Sequence, residues 1–521
     1  MTRHRFRRVP ALGLVLLVTL SSACRTASNT STDSTDAVDS TLPTTFEPRP
    51  PTLSGVPETF VVGPITGGNG QVVLGTDVFN GSASGYTEAE YFVAGTAQSY
   101  TSLNPLGDDG QWSVEPNDST NYTTRIVVRR PSDPALFNGT VFVEWLNVTA
   151  GLDIGPVWSY ANVEMMRSGA IWVGVSAQRV GIEGGGNPLG ETRVLKVADP
   201  VRYGTLLHPG DNYSYDIFSQ AGATVWRNAD LLFDGLTPER VIAMGESQSA
   251  FRMVTYINAV GAQHDVYHGY LVHSRGSRGA ALSADPGPDV PGPTAARIRA
   301  DFARPVLTLT AETDVVGDAL GYRRASQPDT DTFRSWEVAG TAHADAYSLG
   351  IGDTDDGSGV AGSALFDAML NAPTGVYGGL INCDLPINAG PHTYVVRSAL
   401  AALDTWVQSG TPPPSMPQLA TNADLTGFEE DANGNALGGV RTPHVDVPVA
   451  KLSGLGQVGT GFCFLFGTTT PFTKVQLARL YLDKADFVAK WREATDRAIA
   501  AGAILEADRA EIIASADRYP E

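Results

Sequence analysis

Apolar residues fall into two rhythms along this chain, and the change between them divides it. From about Glu58 to Phe142, short β-branched and aromatic runs stand between Gly and Asn punctuation. Thr59–Val62, Tyr91–Ala94 and Thr124–Arg129 read there as strands. From Thr140 onward, compact apolar runs alternate with longer helical stretches. Thr140–Leu146, Ile171–Ser176, Arg240–Met244, Tyr270–His273, Arg304–Thr310 and Arg334–Ala339 predict buried strands, and Val157–Ser168 and Asp216–Asp230 predict helices. Strands alternating with helices imply a mostly parallel sheet covered on both faces.

The last third is less repetitive. Val396, Leu400, Leu403 and Val407 lie at helical spacing with Gly410 as the stop, and Thr473 with Gln476 predicts a capping box that opens another helix. Leu455–Phe466 is rich in glycine and aromatic residues. The expected architecture is therefore α/β, with an N-terminal β-rich part and C-terminal helical and loop additions. One body spans residues 55–521, its core at about 124–360 and a C-terminal extension at about 361–521.

Composition narrows the class. Of the 521 residues, 42% are hydrophobic and 18% charged, and mean hydropathy is −0.07. That suits a globular chain and not a coiled coil. The formal net charge of −20 excludes nucleic acid as a partner, because neutralising phosphates requires excess Lys and Arg. No run of about 18 apolar residues occurs, so a multi-span helical membrane protein is excluded.

Residues 1–23 read as an export signal: Arg3, Arg5, Arg7 and Arg8 precede a short apolar stretch, Ala11–Leu20. Leu20-Ser21-Ser22-Ala23-Cys24 then resembles a bacterial lipobox, which predicts lipid on Cys24 as the sole attachment to a membrane. The stretch 24–54, rich in Ser, Thr, Asp and Pro, reads as a tether. The protein is expected to be exported, as an envelope lipoprotein or in secreted form. With Cys24 lipidated, Cys383 and Cys463 remain as an even pair in an oxidising compartment; this predicts a disulfide, against the alternative of two buried thiols.

The chemistry centres on Val241-Ile-Ala-Met-Gly245-Glu246-Ser247-Gln248-Ser249. It sets a serine between an apolar strand and an amphipathic helix, the context of a nucleophile elbow. Such a turn needs small residues two before and two after the nucleophile. Gly245 and Ser249 meet that need around Ser247, whereas Phe251 is too large to flank Ser249. Beyond the strand ending near Thr310 comes an acidic turn with Glu312 and Asp314, and beyond the next comes His343 in Gly340-Thr-Ala-His-Ala. Serine, acid, histidine is the chain order of α/β hydrolases. A serine hydroxyl needs an imidazole to take its proton, and a carboxylate to hold that imidazole in the right tautomer. Asp314 is the expected acid, with Glu312 as the alternative. The Gln248 amide and one from the loop after Leu146, Asn147 or Val148, are expected to hold the oxyanion.

The chain also resembles the large α/β-hydrolase-domain proteins of bacteria with a Gly-Glu-Ser-Gln-Ser elbow, from about Gly85 to Ala516. Matching segments include Glu144–Asn147, Trp172–Gln178, Asp216–Ala221, Leu271–Gly276 and Asn435–Arg441. The resemblance implies a serine hydrolase, an esterase, with no cofactor.

His273 and His392 read as structural or pocket-lining, and Glu144 as a buried carboxylate with a structural partner. The acidic loops at Asp353–Gly357 and Asp431–Ala436 miss the glycine of a calcium loop and read as solvated turns, so no metal is expected. Ser274–Ala295 reads either as a lid or as a surface crossing. The expected function is hydrolysis of carboxylic esters, small or polymeric, with amide or lactone hydrolysis by the same groups as the alternative. A binding lipoprotein on a retired hydrolase scaffold is the rival class, and the full Ser-acid-His set argues against it.

Overall fold

The computed structural model describes residues 48–75, 79, 84–284, 286–379 and 381–520. The export signal, Cys24 and the tether through residue 47 lie outside the described residues. Residues 48–54, assigned above to the tether, instead lie along the body. Arg49 donates to Asp265 at 2.7 Å, Arg304 donates to the carbonyls of Arg49 and Pro50, and Leu53 packs against the core.

Nine strands form one sheet: β1 (Phe60–Val62), β2 (Tyr86–Ser102), β3 (Val114–Pro131), β4 (Thr140–Trp145), β5 (Ile171–Val175), β6 (Arg240–Glu246), β7 (Gly269–His273), β8 (Val306–Ala311) and β9 (Phe333–Val338). Their order is β1-β2-β3-β5-β4-β6-β7-β8-β9. The first three pair antiparallel, β3 meets β5 antiparallel, and every pairing from β5 to β9 is parallel. The β-rich N-terminal part is thus the antiparallel edge of the same sheet. From β4 the chain steps one way to β5 and the other way to β6. This creates a topological switch point at the carboxyl ends of β4 and β6, where open α/β sheets bind ligands.

Period-2 alternation divides each central strand between two cores. Val141, Val143, Val241, Ala243, Tyr270 and Val272 face one, and Phe142, Ile242, Met244 and Leu271 face the other. Helices α1 (Pro156–Arg167) and α2 (Ser214–Arg227) cover opposite faces, and α3 (Gln248–Thr255) lies with α2. Glu144 interrupts β4 for a local reason. Its carboxylate accepts from the amides of Val157 and Trp158, at 2.8 and 3.0 Å, and from Trp172 Nε1 at 2.8 Å. A buried carboxylate thereby caps the opening turn of α1, and burial still pushes its pKa up to about 7 against those hydrogen bonds.

The acidic turn after β8 is a short helix, α4 (Glu312–Val315). The long C-terminal helix α5 (His392–Ser409) packs its Val396–Leu400–Leu403–Val407 stripe on the sheet and ends at Gly410, whose φ of 78° suits a left-handed cap. Thr473 and Gln476 make reciprocal cap bonds. Cys383 and Cys463 are disulfide-bonded.

Ser274–Ala295 is a crossing from β7 toward β8. It bonds to α3 through Ala280 N and Phe251 O and to itself through Ser277 and Thr294, and none of its described residues lines the cavity over Ser247. The Asp353–Gly357 turn is less solvated than expected, because Asp355 is buried against Arg397 at 2.5 Å and the Tyr347 hydroxyl at 2.7 Å. Asp431 accepts from the amides of Asn433 and Asn435 and from Arg441.

Candidate active site

β6 ends at Glu246 and α3 begins at Gln248, so Ser247 alone makes the turn. Its φ of 55° puts a non-glycine residue where side chain and backbone crowd each other. A Cβ on Gly245 would stand 3.0 Å from the Ser249 carbonyl oxygen and 3.2 Å from Ser249 Cβ. The two ends of the turn are in contact, which is why both are small. Ser249 itself is fully buried, and its hydroxyl has no hydrogen-bond partner among the described residues.

Ser247 Oγ lies 2.7 Å from His343 Nε2, and His343 Nδ1 lies 2.6 Å from Asp314 Oδ1. With Nδ1 donating to the carboxylate, Nε2 is the acceptor for the serine proton. The other Asp314 oxygen accepts from Ala311 N at 2.7 Å, which fixes the carboxylate at the end of β8. The His343 amide donates to Thr313 Oγ1, and that hydroxyl donates to Gly454 O. Burial alone would lower the His343 pKa. The charge and hydrogen bond of Asp314, joined by the charge of Glu246, outweigh it and hold the imidazole up at about 9.

Glu312 does a different job from Asp314. Its carboxylate accepts from Gly340 N at 2.6 Å and from Gly454 N at 2.8 Å, and so ties the acid turn to the histidine turn and to the C-terminal third. Both its oxygens are engaged away from His343.

The loop after β4 stands across from Ser247. Of the two amides expected there, Asn147 N is excluded, because it donates to Ile154 O at 2.9 Å. Thr149 N donates to Asn147 Oδ1 and Gly151 N to Val148 O, which leaves Val148 and Ala150 with amides unpaired among the described residues. The Gln248 amide is likewise unpaired, at the N-terminal end of α3 where helix amides favour negative charge. Farther along this loop, Asp153 accepts from Arg125 at 2.7 Å, and Arg125 also donates to Glu90 at 3.0 Å, all three side chains buried. Arg202 and Tyr203 complete the coordination of Glu90. This buried network fixes the loop to β2 and β3.

Sequence reasoning passed over Glu246, although it lies inside the elbow. Its carboxylate is buried, 3.5 Å from His343 Nε2, and its Oε2 and main-chain carbonyl accept from Asn147 Nδ2 at 3.3 and 3.1 Å. Burial pushes its pKa up to about 8; His343 and Asn147 pull it down, while Asp314 and Glu144 push it further up. The signal was an ionisable residue directly after the apolar run Val241–Met244 and Gly245, at the last position of β6. His273 and His392 pair with each other at 3.0 Å, and His392 Nδ1 contacts Ala342 O; neither reaches Ser247.

A cavity of about 300 Å³ opens over Ser247 and His343. Its walls are mostly apolar, with Leu152 and Ile154 from the loop after β4 and Phe462, Leu465 and Phe466 from the C-terminal third. The Gly-rich aromatic stretch 455–466 is therefore part of the site, which its composition did not disclose.

The chain matches the model of a family described as alpha/beta hydrolase domain over residues 61–514. No curated protein matches it significantly. Similar solved structures include a glucuronoyl esterase from Solibacter usitatus, 13% identical, covering 49% of this chain and 78% of that one at a TM-score of 0.26. A protein from Klebsiella pneumoniae assigned as a dienelactone hydrolase is 14% identical over 47% of this chain and 85% of that one, with a TM-score of 0.24. A thermostable esterase from Pseudomonas putida is 15% identical over 50% and 75%, at 0.26. Such low TM-scores leave the assignment to the family match.

Proposed function

The chain belongs to the alpha/beta hydrolase domain family, and from that premise we propose that it is a serine hydrolase of carboxylic esters. The observation that carries the reading is the continuous line from Ser247 Oγ through His343 to Asp314, at 2.7 and 2.6 Å, beneath an apolar cavity. Ser247 Oγ attacks the ester carbonyl carbon as its proton passes to His343 Nε2. The tetrahedral intermediate collapses, the bond to the alcohol oxygen breaks, and that oxygen takes the proton from His343. Water then attacks the acyl-enzyme and gives a proton to His343, which returns it to Ser247 as the acid leaves. Gln248 N, with Val148 N or Ala150 N, holds the negative oxygen; each such donor matters by roughly 100- to 1000-fold in turnover. Asp314 orients the imidazole and offsets its positive charge. A fluorophosphonate probe should label Ser247 and abolish hydrolysis of p-nitrophenyl acetate. A folded protein that takes no label and hydrolyses no ester overturns the reading.

Only neutral His343 can accept the serine proton. Activity should therefore rise with pH through the histidine pKa, near 9. Glu246 contributes to that elevation, and above about pH 8 its carboxylate is ionised. Glu246→Gln removes the charge, so the histidine pKa falls and the rising limb of kcat/KM should move to lower pH. A pH–rate profile of the two enzymes checks this; an unchanged or alkaline-shifted limb contradicts it.

We also propose that the protein is exported and carries lipid on Cys24, a reading supported by the basic, apolar and small-residue succession before that cysteine. Expressed in a bacterial host, it should fractionate with membranes, and Cys24→Ala should release it. A soluble wild type whose intact mass shows unmodified Cys24 speaks against lipidation.

A further inference from the structure

We propose that the ester carries a neutral alkyl chain, and that the Cys383–Cys463 disulfide, by holding the cavity wall that grips this chain, sets the chain-length preference. The inference rests on the hydrolase reading above. Few charged groups border the cavity. Glu246 is held by Asn147 and His343, and Arg193 donates from both terminal nitrogens to the carbonyls of Leu74 and Gly75. Both are anchored by neighbouring groups at the border of the cavity, whereas apolar side chains surround the space on both sides.

The wall on the C-terminal side has little regular structure to hold it. It is built on the two-residue strands Gly375–Val376 and Ile381–Asn382 and the single turn Cys463–Leu465. The disulfide joins these segments across 80 residues of sequence. It lies in one buried cluster with Ile387 and Phe466, against which Leu349, Ile381, Phe462 and Leu465 pack. All of these except Ile387 also line the cavity. Around the cross-link, Asp384 N donates to Val458 O at 3.0 Å, and Gln457 bridges to both the amide and the carbonyl of Leu385. The staple thus acts on the surface a chain would touch. The same wall reaches the histidine turn, because Ala344 N donates to Leu465 O at 3.2 Å.

The test has two arms. In one, p-nitrophenyl esters run from acetyl to octanoyl; in the other, acetate esters of straight alcohols run over the same lengths. In one arm kcat/KM should rise about fourfold per methylene, the equivalent of about 0.8 kcal/mol, until the cavity is filled. The rising arm identifies the side of the carbonyl that occupies it. Phe462→Ala should flatten the rise. So should Cys383→Ser with Cys463→Ser, in protein that still takes the fluorophosphonate label. Where the double variant does not fold, native enzyme reduced with dithiothreitol, with two more thiols counted afterwards than before, gives the same comparison. A wild type that hydrolyses acetyl esters without any chain-length gain in either arm overturns the alkyl-chain assignment and leaves the hydrolase reading standing. A slope unchanged on loss of the disulfide, or Cys383 and Cys463 both free in the untreated protein, overturns the role of the staple. A wild type inert to the probe and to every ester is instead the failure of the hydrolase reading.

Discussion

Ser247→Ala should abolish ester hydrolysis, by roughly a millionfold in turnover if these groups act as a unit as in comparable triads, while Ser249→Ala keeps substantial activity. The two serines stand one residue apart, and the turn gives them opposite surroundings. Ser247 is at the apex with its hydroxyl 2.7 Å from His343 Nε2. Ser249 faces back into the turn, within 3.2 Å of the place a Cβ on Gly245 would occupy, and its buried hydroxyl is unpartnered among the described residues. Removing an unpartnered buried hydroxyl removes a desolvation cost, so Ser249→Ala should be neutral to slightly stabilising. Turnover of a p-nitrophenyl ester, with thermal unfolding of both variants, decides the matter. An active Ser247→Ala beside a dead Ser249→Ala would reverse the assignment of the elbow.

The central strands were legible because both faces of a parallel sheet are buried, and continuous apolar runs such as Val141–Val143 or Val241–Met244 have no other use. The elbow was legible because close backbone approach demands small residues at fixed positions, as Gly245 and Ser249 show. What could not be read depended on contacts distant in sequence. Residues 48–54 look like the stretch before them until Arg304 and Asp265 are brought alongside. The Asn147 amide looks free until Ile154 returns to meet it. Phe462 and Leu465 look like any aromatic loop until the disulfide turns that loop over Ser247. Glu246 is the instructive case. Its neighbour drew the attention of a motif, while its own importance comes from burial beside His343, which no local pattern expresses.

Asp314→Asn should lower turnover by roughly 10⁴-fold, and Glu312→Gln should leave it within about one order of magnitude. The two acids are a single residue apart and both buried, so exposure does not separate them. Geometry does. Asp314 Oδ1 lies 2.6 Å from His343 Nδ1 while Oδ2 is pinned by Ala311 N. An amide in its place can offer an oxygen to only one of those two donors. If the oxygen goes to Ala311, the NH₂ group faces Nδ1 and forces the proton to Nε2, where it blocks transfer from Ser247. Glu312 instead accepts from Gly340 N and Gly454 N, and its amide variant sets a donor against one of those backbone donors. The cost there is one buried hydrogen bond, about 1–3 kcal/mol of stability, spread over the loops behind the site. Glu312→Gln should accordingly show a lowered unfolding midpoint with turnover largely kept, and Asp314→Asn the converse. Turnover on one ester and thermal unfolding, measured on both variants, separate the roles; an inactive, fully stable Glu312→Gln beside a near-normal Asp314→Asn would make Glu312 the acid.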